Sequence, residues 1–156
     1  MSTRPIGDHA MLSDCRSAAL VTSDGSIDWL CLPRFDSPAL FARLLDENAG
    51  HWSVRPARPV EVRRGYLEHS LVLETVFHGR DGTVVLRDAL ALGRGERGHA
   101  LGTGSPGLLL REATCVEGRM TLEVEYAPRP EFGLVQPLME PVPGGLVARG
   151  SANVLK

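Results

Sequence analysis

The chain has 156 residues, a formal net charge of -2 and a hydrophobic fraction of 43%. This length predicts one domain that can build its own core, and the composition is unlike that of a disordered chain. A nucleic-acid-binding surface needs a basic excess on one face, and the sequence shows none. No run approaches the roughly 18 apolar residues of a membrane helix. We therefore expect neither nucleic acid nor a membrane as a partner.

The three cysteines are Cys15, Cys31 and Cys115. Their odd number and wide spacing predict no disulfide framework and favour a reducing, cytoplasmic location. Cys31 and Cys115 each fall in an apolar strand pattern, where we expect them to be small buried hydrophobic residues. The five histidines show no zinc-ligand spacing, and no cofactor motif is present, so the sequence predicts no cofactor and no metal.

The first strand pattern is a hairpin of residues 18–21 with residues 27–32. The dipeptide Asp24-Gly25 between them predicts a type I′ turn, because both residue types tolerate positive φ. Asp28 is unusual, because it shares a strand face with two leucines.

A helix is predicted next, near residues 37–46. Ser37 is the predicted N-cap and Pro38 fits the first helical position. An apolar stripe follows at helical spacing, formed by Leu40, Phe41, Leu44 and Leu45.

From residue 51 onward the pattern predicts strands. Residues 51–55 and 60–67 are single strands, and three hairpins are predicted: 71–78 with 83–90, 108–116 with 119–126, and 134–139 with 146–151. A last strand is predicted at 152–156. The sequence therefore predicts a mainly β fold, an antiparallel β-sandwich with one short helix near residues 37–46. We expect a single domain over residues 1–156 whose final sheet edge is incomplete.

Two strings, at residues 93–98 and 102–107, match the pattern G-x-G-x-x-G. A dinucleotide fingerprint also needs a strand before it and a helix after it, because the helix N-terminus binds the pyrophosphate. A strand pattern follows here, so both strings are interpreted as one Gly-rich loop.

Two longer strings are more informative: Gly-Ser-Ile-Asp-Trp-Leu at 25–30 and Pro-Arg-Phe-Asp-Ser-Pro at 33–38. The region from residue 5 to residue 46 that contains them resembles the opening of the trehalase-like N-terminal domain in bacterial members of glycoside hydrolase family 15. The resemblance continues to about residue 133, through Ala-Pro-Arg-Pro-Glu-Phe-Gly at 127–133.

This resemblance implies a place in a two-part enzyme. Members of the family join an N-terminal β-sandwich to a catalytic (α/α)6 barrel, whose two glutamates hydrolyse α-glucosidic bonds with inversion. No residue of this sequence corresponds to those glutamates. The expected function is thus that of a non-catalytic N-terminal domain, inactive alone, that supports or shapes the active site of the barrel. The expected substrates of the whole enzyme are trehalose, maltodextrins and related glucosides.

The candidate substrate-facing or barrel-facing residues are Trp29, Arg34, Phe35 and Asp36. An aromatic face packs on a pyranose ring, and an arginine beside a carboxylate binds hydroxyl groups. A structural interpretation is also open: Trp29 fills the core, and Arg34 pairs with Asp28 or Asp36 to fix the turn.

Two other classes of function stay open. One is a stand-alone carbohydrate-binding or protein-interaction module with an α-glucoside ligand. The other is an inactive, shortened gene product. An exposed apolar patch at the predicted helix would favour a homo-oligomer or a barrel partner.

Overall fold

The computed structural model describes residues 5–151 and residue 155. Twelve strands dominate this part of the chain, with two short 3-10 turns at Ile6–Asp8 and Gly98–Ala100. The strands are β1 (Ala10–Ser13), β2 (Ala18–Val21), β3 (Ser26–Cys31), β4 (Ala39–Phe41), β5 (His51–Pro56), β6 (Glu61–Tyr66), β7 (Leu73–His78), β8 (Gly82–Leu90), β9 (Leu109–Gly118), β10 (Leu122–Ala127), β11 (Leu138–Val142) and β12 (Gly145–Arg149). The predicted mainly β class is confirmed.

The first sheet has the strand order β1-β2-β3-β5-β10, with β4 also paired to β3. β3 pairs with β2 along one edge. Along its other edge, the first half of β3 pairs with β5 and the second half with β4. The second sheet has the order β6-β7-β8-β9, and β11 and β12 form a separate hairpin. All of these pairings are antiparallel.

The two sheets share one core, which makes the fold a β-sandwich, as predicted. Ile27 and Phe41 of the first sheet lie in the same buried cluster as Leu73 and Leu90 of the second. A smaller cluster again joins both sheets, through Val54, Phe77, Val84 and Leu86. Burying an apolar side chain of this size stabilises a fold by about 1.5–3 kcal/mol, so these clusters hold the sheets together.

A buried arginine of the second sheet also connects the two sheets. The Arg111 guanidinium of β9 contacts the Asp88 carboxylate of β8 at 2.7 Å, and their side chains are 2% and 0% exposed. The same guanidinium donates to the carbonyl oxygens of Trp52 (2.6 Å) on β5 and of Gly25 (2.8 Å) in the β2–β3 turn. It also lies 5.3 Å from the centre of the Trp52 ring. Burial raises the pKa of the Asp88 carboxyl, and Arg111 opposes that rise.

The helix predicted near residues 37–46 is wrong. Residues Ala39–Phe41 form β4, and the segment after it forms turns. Ser37 caps no helix, since its hydroxyl oxygen accepts the N–H of Arg34, three residues earlier, at 3.1 Å. A register shift in the β3–β4 ladder lets Leu40 and Phe41 both enter the sandwich core. Adjacent apolar residues fit a bulged strand as well as a helical stripe, and a stripe this short cannot sustain a helix.

The predicted hairpin of 108–116 with 119–126 is also wrong, although both segments are strands. β9 pairs with β8, and β10 pairs with β5 in the other sheet. Gly118 does not form a hairpin turn but still pairs with Gly82. It crosses so closely over Asp81 that a Cβ would lie 2.1 Å from that carbonyl oxygen. Cys115 on β9 is exposed and not buried as predicted, whereas Cys31 is buried.

The remaining three hairpins are present, with a changed turn type in the first, and in the last the strand predicted at 134–139 lies at Leu138–Val142. β2 pairs with β3, β7 with β8, and β11 with β12. In the first of these turns only Gly25 has positive φ, so the turn is not type I′. Gly25 donates to Thr22 (3.1 Å), and Thr22 donates to Ser26 (2.8 Å), which closes a three-residue loop. The strand predicted at 152–156 lies outside the described residues except for Leu155, which forms an isolated bridge with Ala148.

Candidate functional site

The turn between β3 and β4 brings three of the four candidate residues together. Arg34 Nε donates to Asp36 Oδ1 at 3.0 Å, and both side chains are largely exposed. This hydrogen bond from Arg34 is the main reason why the pKa of Asp36 lies below its ordinary value. The N–H of Phe35 donates to the carbonyl oxygen of Arg16 (2.9 Å), which fixes the turn to the β1–β2 connection.

A cavity of about 450 Å³ opens beside this turn. Its walls are the side chains and backbone of Cys15, Arg16, Arg34, Phe35 and Asp36. Phe35 is 59% exposed, although phenylalanine is usually buried. An exposed aromatic ring between an ion pair and a further arginine is suited to contact with a sugar or with another protein surface.

Trp29 belongs to a different environment. It packs against a small cluster formed by Cys31, Ala39, Ala42 and Ala49. Its ring also meets the ring of Phe132, with centroids 6.3 Å apart and planes tilted by 43°. Trp29 therefore has a packing role on the outer side of β3 and does not line the cavity at Phe35.

Asp28 lies in a buried polar cluster that was not predicted from the sequence. The β2–β3 ladder passes from the pair Leu20–Trp29 to the pair Val21–Ile27, so Asp28 is the extra residue of a β-bulge. Its partner is Arg43 and not Arg34: Asp28 Oδ1 accepts from Arg43 Nε at 3.0 Å. The hydroxyl of Ser26 donates to the same oxygen at 2.6 Å. An acid in an apolar strand was the only signal of this cluster in the sequence.

His9 completes the cluster from the N-terminal side. Its Nδ1 lies 3.1 Å from the Pro5 carbonyl oxygen, which can only accept, so Nδ1 carries the hydrogen. Its Nε2 is buried and faces Asp28 Oδ2 across 4.0 Å. The His9 ring therefore lies beside the bulge in β3, while its hydrogen bond stays within the segment before β1.

His51 of β5 lies close to the same charges. Its Nε2 is 3.1 Å from the Glu125 carboxylate of β10, and its side chain is 10% exposed. Burial lowers the pKa of His51, and the positive charge of Arg43 lowers it further, while Glu125 and Asp28 act in the opposite direction.

We expect His51 to make folding stability depend on pH. Because its pKa is lower in the folded chain than in the unfolded one, the unfolded state binds more protons below about pH 6.5. Stability should thus fall as the pH drops through this range. Urea unfolding at about pH 7.5 and pH 5 should show a smaller fall in His51→Gln than in the original chain. The exposed His69→Gln is the matched control, and an unchanged pH dependence in His51→Gln would contradict the assignment.

The Gly-rich loop of residues 93–104 folds around one carboxylate. Glu96 accepts the N–H groups of Gly93 (3.2 Å) and Gly102 (2.8 Å), as well as that of Gly104. The Thr103 hydroxyl donates to the same carboxylate at 3.2 Å. Desolvation raises the pKa of Glu96, but these N–H groups outweigh it, and the pKa is lowered overall. The backbone N–H groups of this loop therefore bind the carboxylate of Glu96 from the same chain.

Replacement of Glu96 by glutamine should loosen this loop. The variant loses the negative charge that the N–H groups of Gly102 and Gly104 surround. Hydrogen exchange at these two amides should become faster, while exposed Glu47→Gln leaves them unchanged. In the original chain the protection should persist at neutral pH and decline only as acid protonates Glu96, because its pKa is lowered. Equal exchange rates in Glu96→Gln and the original chain would refute this role.

Over residues 5–151 and 155, no three His, Cys, Asp or Glu side chains are grouped so that they could hold a metal ion. In the same part of the chain, no helix is long and apolar enough to cross a membrane.

A family model described as "Trehalase-like, N-terminal" matches residues 1–155. The chain belongs to this family. A trehalase of Mycolicibacterium smegmatis is 36% identical over 96% of this chain, and a trehalase of Mycobacterium tuberculosis is 37% identical over 80%. Trehalase 2 of Sulfolobus acidocaldarius is 31% identical over 90%. No solved structure matches the chain.

The match to these relatives is confined to one part of them. The chain spans 24% of the M. smegmatis protein, 20% of the M. tuberculosis protein and 21% of the S. acidocaldarius protein. The trehalase-like N-terminal family thus accounts for nearly all of this chain, and this chain accounts for about a quarter or less of each relative. The bulge at Asp28 and the turn at Arg34–Asp36 both lie within the matched region.

Proposed function

We propose that this chain is the non-catalytic N-terminal domain of an α-glucoside hydrolase of glycoside hydrolase family 15. In this proposal residues 1–156 form one β-sandwich domain that supports a catalytic (α/α)6 barrel and shapes its active site. Trehalose is the first substrate to test, because the relatives that match this region are named trehalases. The three cysteines are unpaired, two of them exposed, which suits a reducing cytoplasm.

The observation that supports the docking role is the exposed Phe35 in an otherwise ordered turn. Its backbone is held by Arg16, and the flanking Arg34 and Asp36 are paired with each other. A rigid turn that presents an aromatic ring costs little entropy when a partner covers it. Aromatic and arginine side chains are also the residues that most often dominate interface energies. We therefore assign the barrel-facing surface to Arg34, Phe35 and Asp36, with Trp29 supporting it indirectly through packing.

The test uses the polypeptide encoded by the complete gene. Phe35→Ala should lower trehalose hydrolysis several-fold, while the unfolding midpoint of the 156-residue chain stays the same. The matched control is Val116→Ala on β9, which removes an exposed apolar side chain from the other sheet. Unchanged kinetics in Phe35→Ala and in Arg34→Ala would remove this turn from the proposal.

The cavity beside Phe35 supports a second candidate function, direct binding of an α-glucoside. Arg16, Arg34 and Asp36 offer hydroxyl-binding groups around an aromatic ring within about 450 Å³. Titration of the 156-residue chain with trehalose should then shift the NMR signals of the turn. No shift at millimolar trehalose would leave the docking role as the better explanation.

A further inference from the structure

A second cavity lies at one end of the sandwich, where three connections meet. These are the β5–β6 connection, the β7–β8 turn and the β9–β10 crossover. The cavity has a volume of about 760 Å³. This is within the range of roughly 300–1,000 Å³ that is typical of small-molecule sites. It shares no lining residue with the cavity at Phe35.

The walls of this cavity are fixed by backbone hydrogen bonds. The N–H of Ala57 donates to the Thr121 carbonyl oxygen at 3.0 Å, which joins the first connection to the third. The N–H of Arg119 donates to the Asp81 carbonyl oxygen at 3.0 Å, which joins the third to the second. A Cβ at Gly82 would lie 2.5 Å from the Arg119 nitrogen, so a glycine is needed for this close approach. The backbone that frames the cavity is consequently fixed by the chain itself, and the arginine side chains on its walls are exposed.

The cavity is lined by three arginines, Arg58, Arg80 and Arg119, and by one acidic residue, Asp81. Within the part of the chain that the structure describes, none of the three guanidinium groups has an ion-pair partner. Seven other arginines do pair with carboxylates there. Three guanidiniums and one carboxylate leave an excess of positive charge at this cavity, in a chain whose net charge is -2.

The inner side of the cavity is apolar. Val60 and Met120 line it and also pack against the buried cluster of Val54, Phe77, Val84 and Leu86. A ligand can therefore place a charged group at the arginines and a less polar body over Val60 and Met120. Arginine is the side chain best suited to the charged part, because its planar fork of N–H donors matches the oxygens of phosphate.

We propose that this cavity binds a phosphate dianion, either free or carried on a sugar, with Arg58, Arg80 and Arg119 as its ligands. The proposal is independent of the function assigned to the turn at Phe35, because the two cavities have no residue in common.

The test is calorimetric titration of the 156-residue chain with inorganic phosphate, glucose 6-phosphate and glucose. Both phosphate compounds should bind, with an affinity that falls as salt is added, and glucose should not. Tighter binding of glucose 6-phosphate than of phosphate would identify the sugar-borne group as the ligand, and equal affinities would identify the free anion.

Variants decide whether binding occurs in this cavity. The double variant Arg80→Gln with Arg119→Gln should weaken binding at least tenfold. The matched control is Arg94→Gln with Arg97→Gln, which removes the same charge from an exposed loop outside the cavity. All four arginines are exposed, so the unfolding midpoints should be similar and can be checked directly. Failure of both phosphate compounds to bind at millimolar concentration, or an equal loss of affinity in the two double variants, would overturn the proposal.

Discussion

Replacement of Arg111 by methionine is expected to lower the free energy of unfolding by about 3–5 kcal/mol. Methionine fills a similar volume, but it leaves the Asp88 carboxylate buried without a counter-charge. It also removes the N–H donors that Arg111 supplies to the carbonyl oxygens of Trp52 and Gly25, although the Gly25 oxygen keeps the N–H of Val54. Domains of this kind are stable by only about 5–15 kcal/mol, so the change removes a large share of the total. The measurement is urea unfolding followed by tryptophan fluorescence.

The controls for this variant show whether the loss of stability comes from a buried carboxylate that has lost its counter-charge. Arg87→Met breaks a pair with Glu74 that is partly exposed, and it should cost about 0–1 kcal/mol. Adding Asp88→Ala to Arg111→Met should restore part of the lost stability, because the unpaired charge is then gone. The loss in Arg111→Met should also shrink as the pH falls, since burial raises the pKa of Asp88 and a neutral carboxyl needs no partner. A cost equal to that of Arg87→Met would contradict the inter-sheet role.

Replacement of Gly25 by alanine should cost about 2–5 kcal/mol, from backbone strain and overpacking together. Gly25 has a φ of +83°, and a Cβ there would lie 2.3 Å from the carbonyl oxygen of Val54. The side chains of Leu86 and Phe77 would both lie 3.2 Å away. The new methyl group thus has no space to move into, and the β2–β3 turn must shift away from β5. Thermal or urea unfolding measures the effect.

Gly144→Ala is the matched control for this prediction. Gly144 also lies in a hairpin turn with a φ of +84°, but nothing lies within 4 Å of the position of its Cβ. It should therefore show only the cost of the left-handed backbone, about 1–2 kcal/mol. Equal losses in the two variants would mean that close packing at Gly25 contributes nothing.

Local patterns were enough to predict most strands of this fold. In the hairpin of β7 with β8, alternation predicts a core side formed by Leu71, Leu73, Thr75 and Phe77. The last three are buried, whereas Leu71 precedes β7 and is exposed. The alternation of apolar and polar residues does not decide the structure where the same apolar residues fit both a helix and a bulged strand. The adjacent Leu40 and Phe41 match a helical stripe, yet both enter the core from a bulged strand.

Local sequence patterns could not predict which distant segments pair with each other. A short Glu-Gly link between two strand patterns usually predicts a hairpin, but β9 and β10 belong to different sheets. The Asp28–Arg43 and Asp88–Arg111 pairs were missed for the same reason. Their partners are 15 and 23 residues apart, and only the completed ladders bring them together. The Arg34–Asp36 pair was predictable because the two residues lie close together in the sequence. The contact of Trp29 with Phe132 joins distant residues and was not predictable.

The central claim is that the chain serves a catalytic domain and does not hydrolyse glucosides itself. Its most direct test is glucose release from trehalose and maltose, measured for the 156-residue chain and for the polypeptide encoded by its complete gene. We predict turnover by the complete polypeptide only. Turnover by the 156-residue chain alone would contradict the account and would make the acids from Asp28 to Asp36 the first candidates for catalysis.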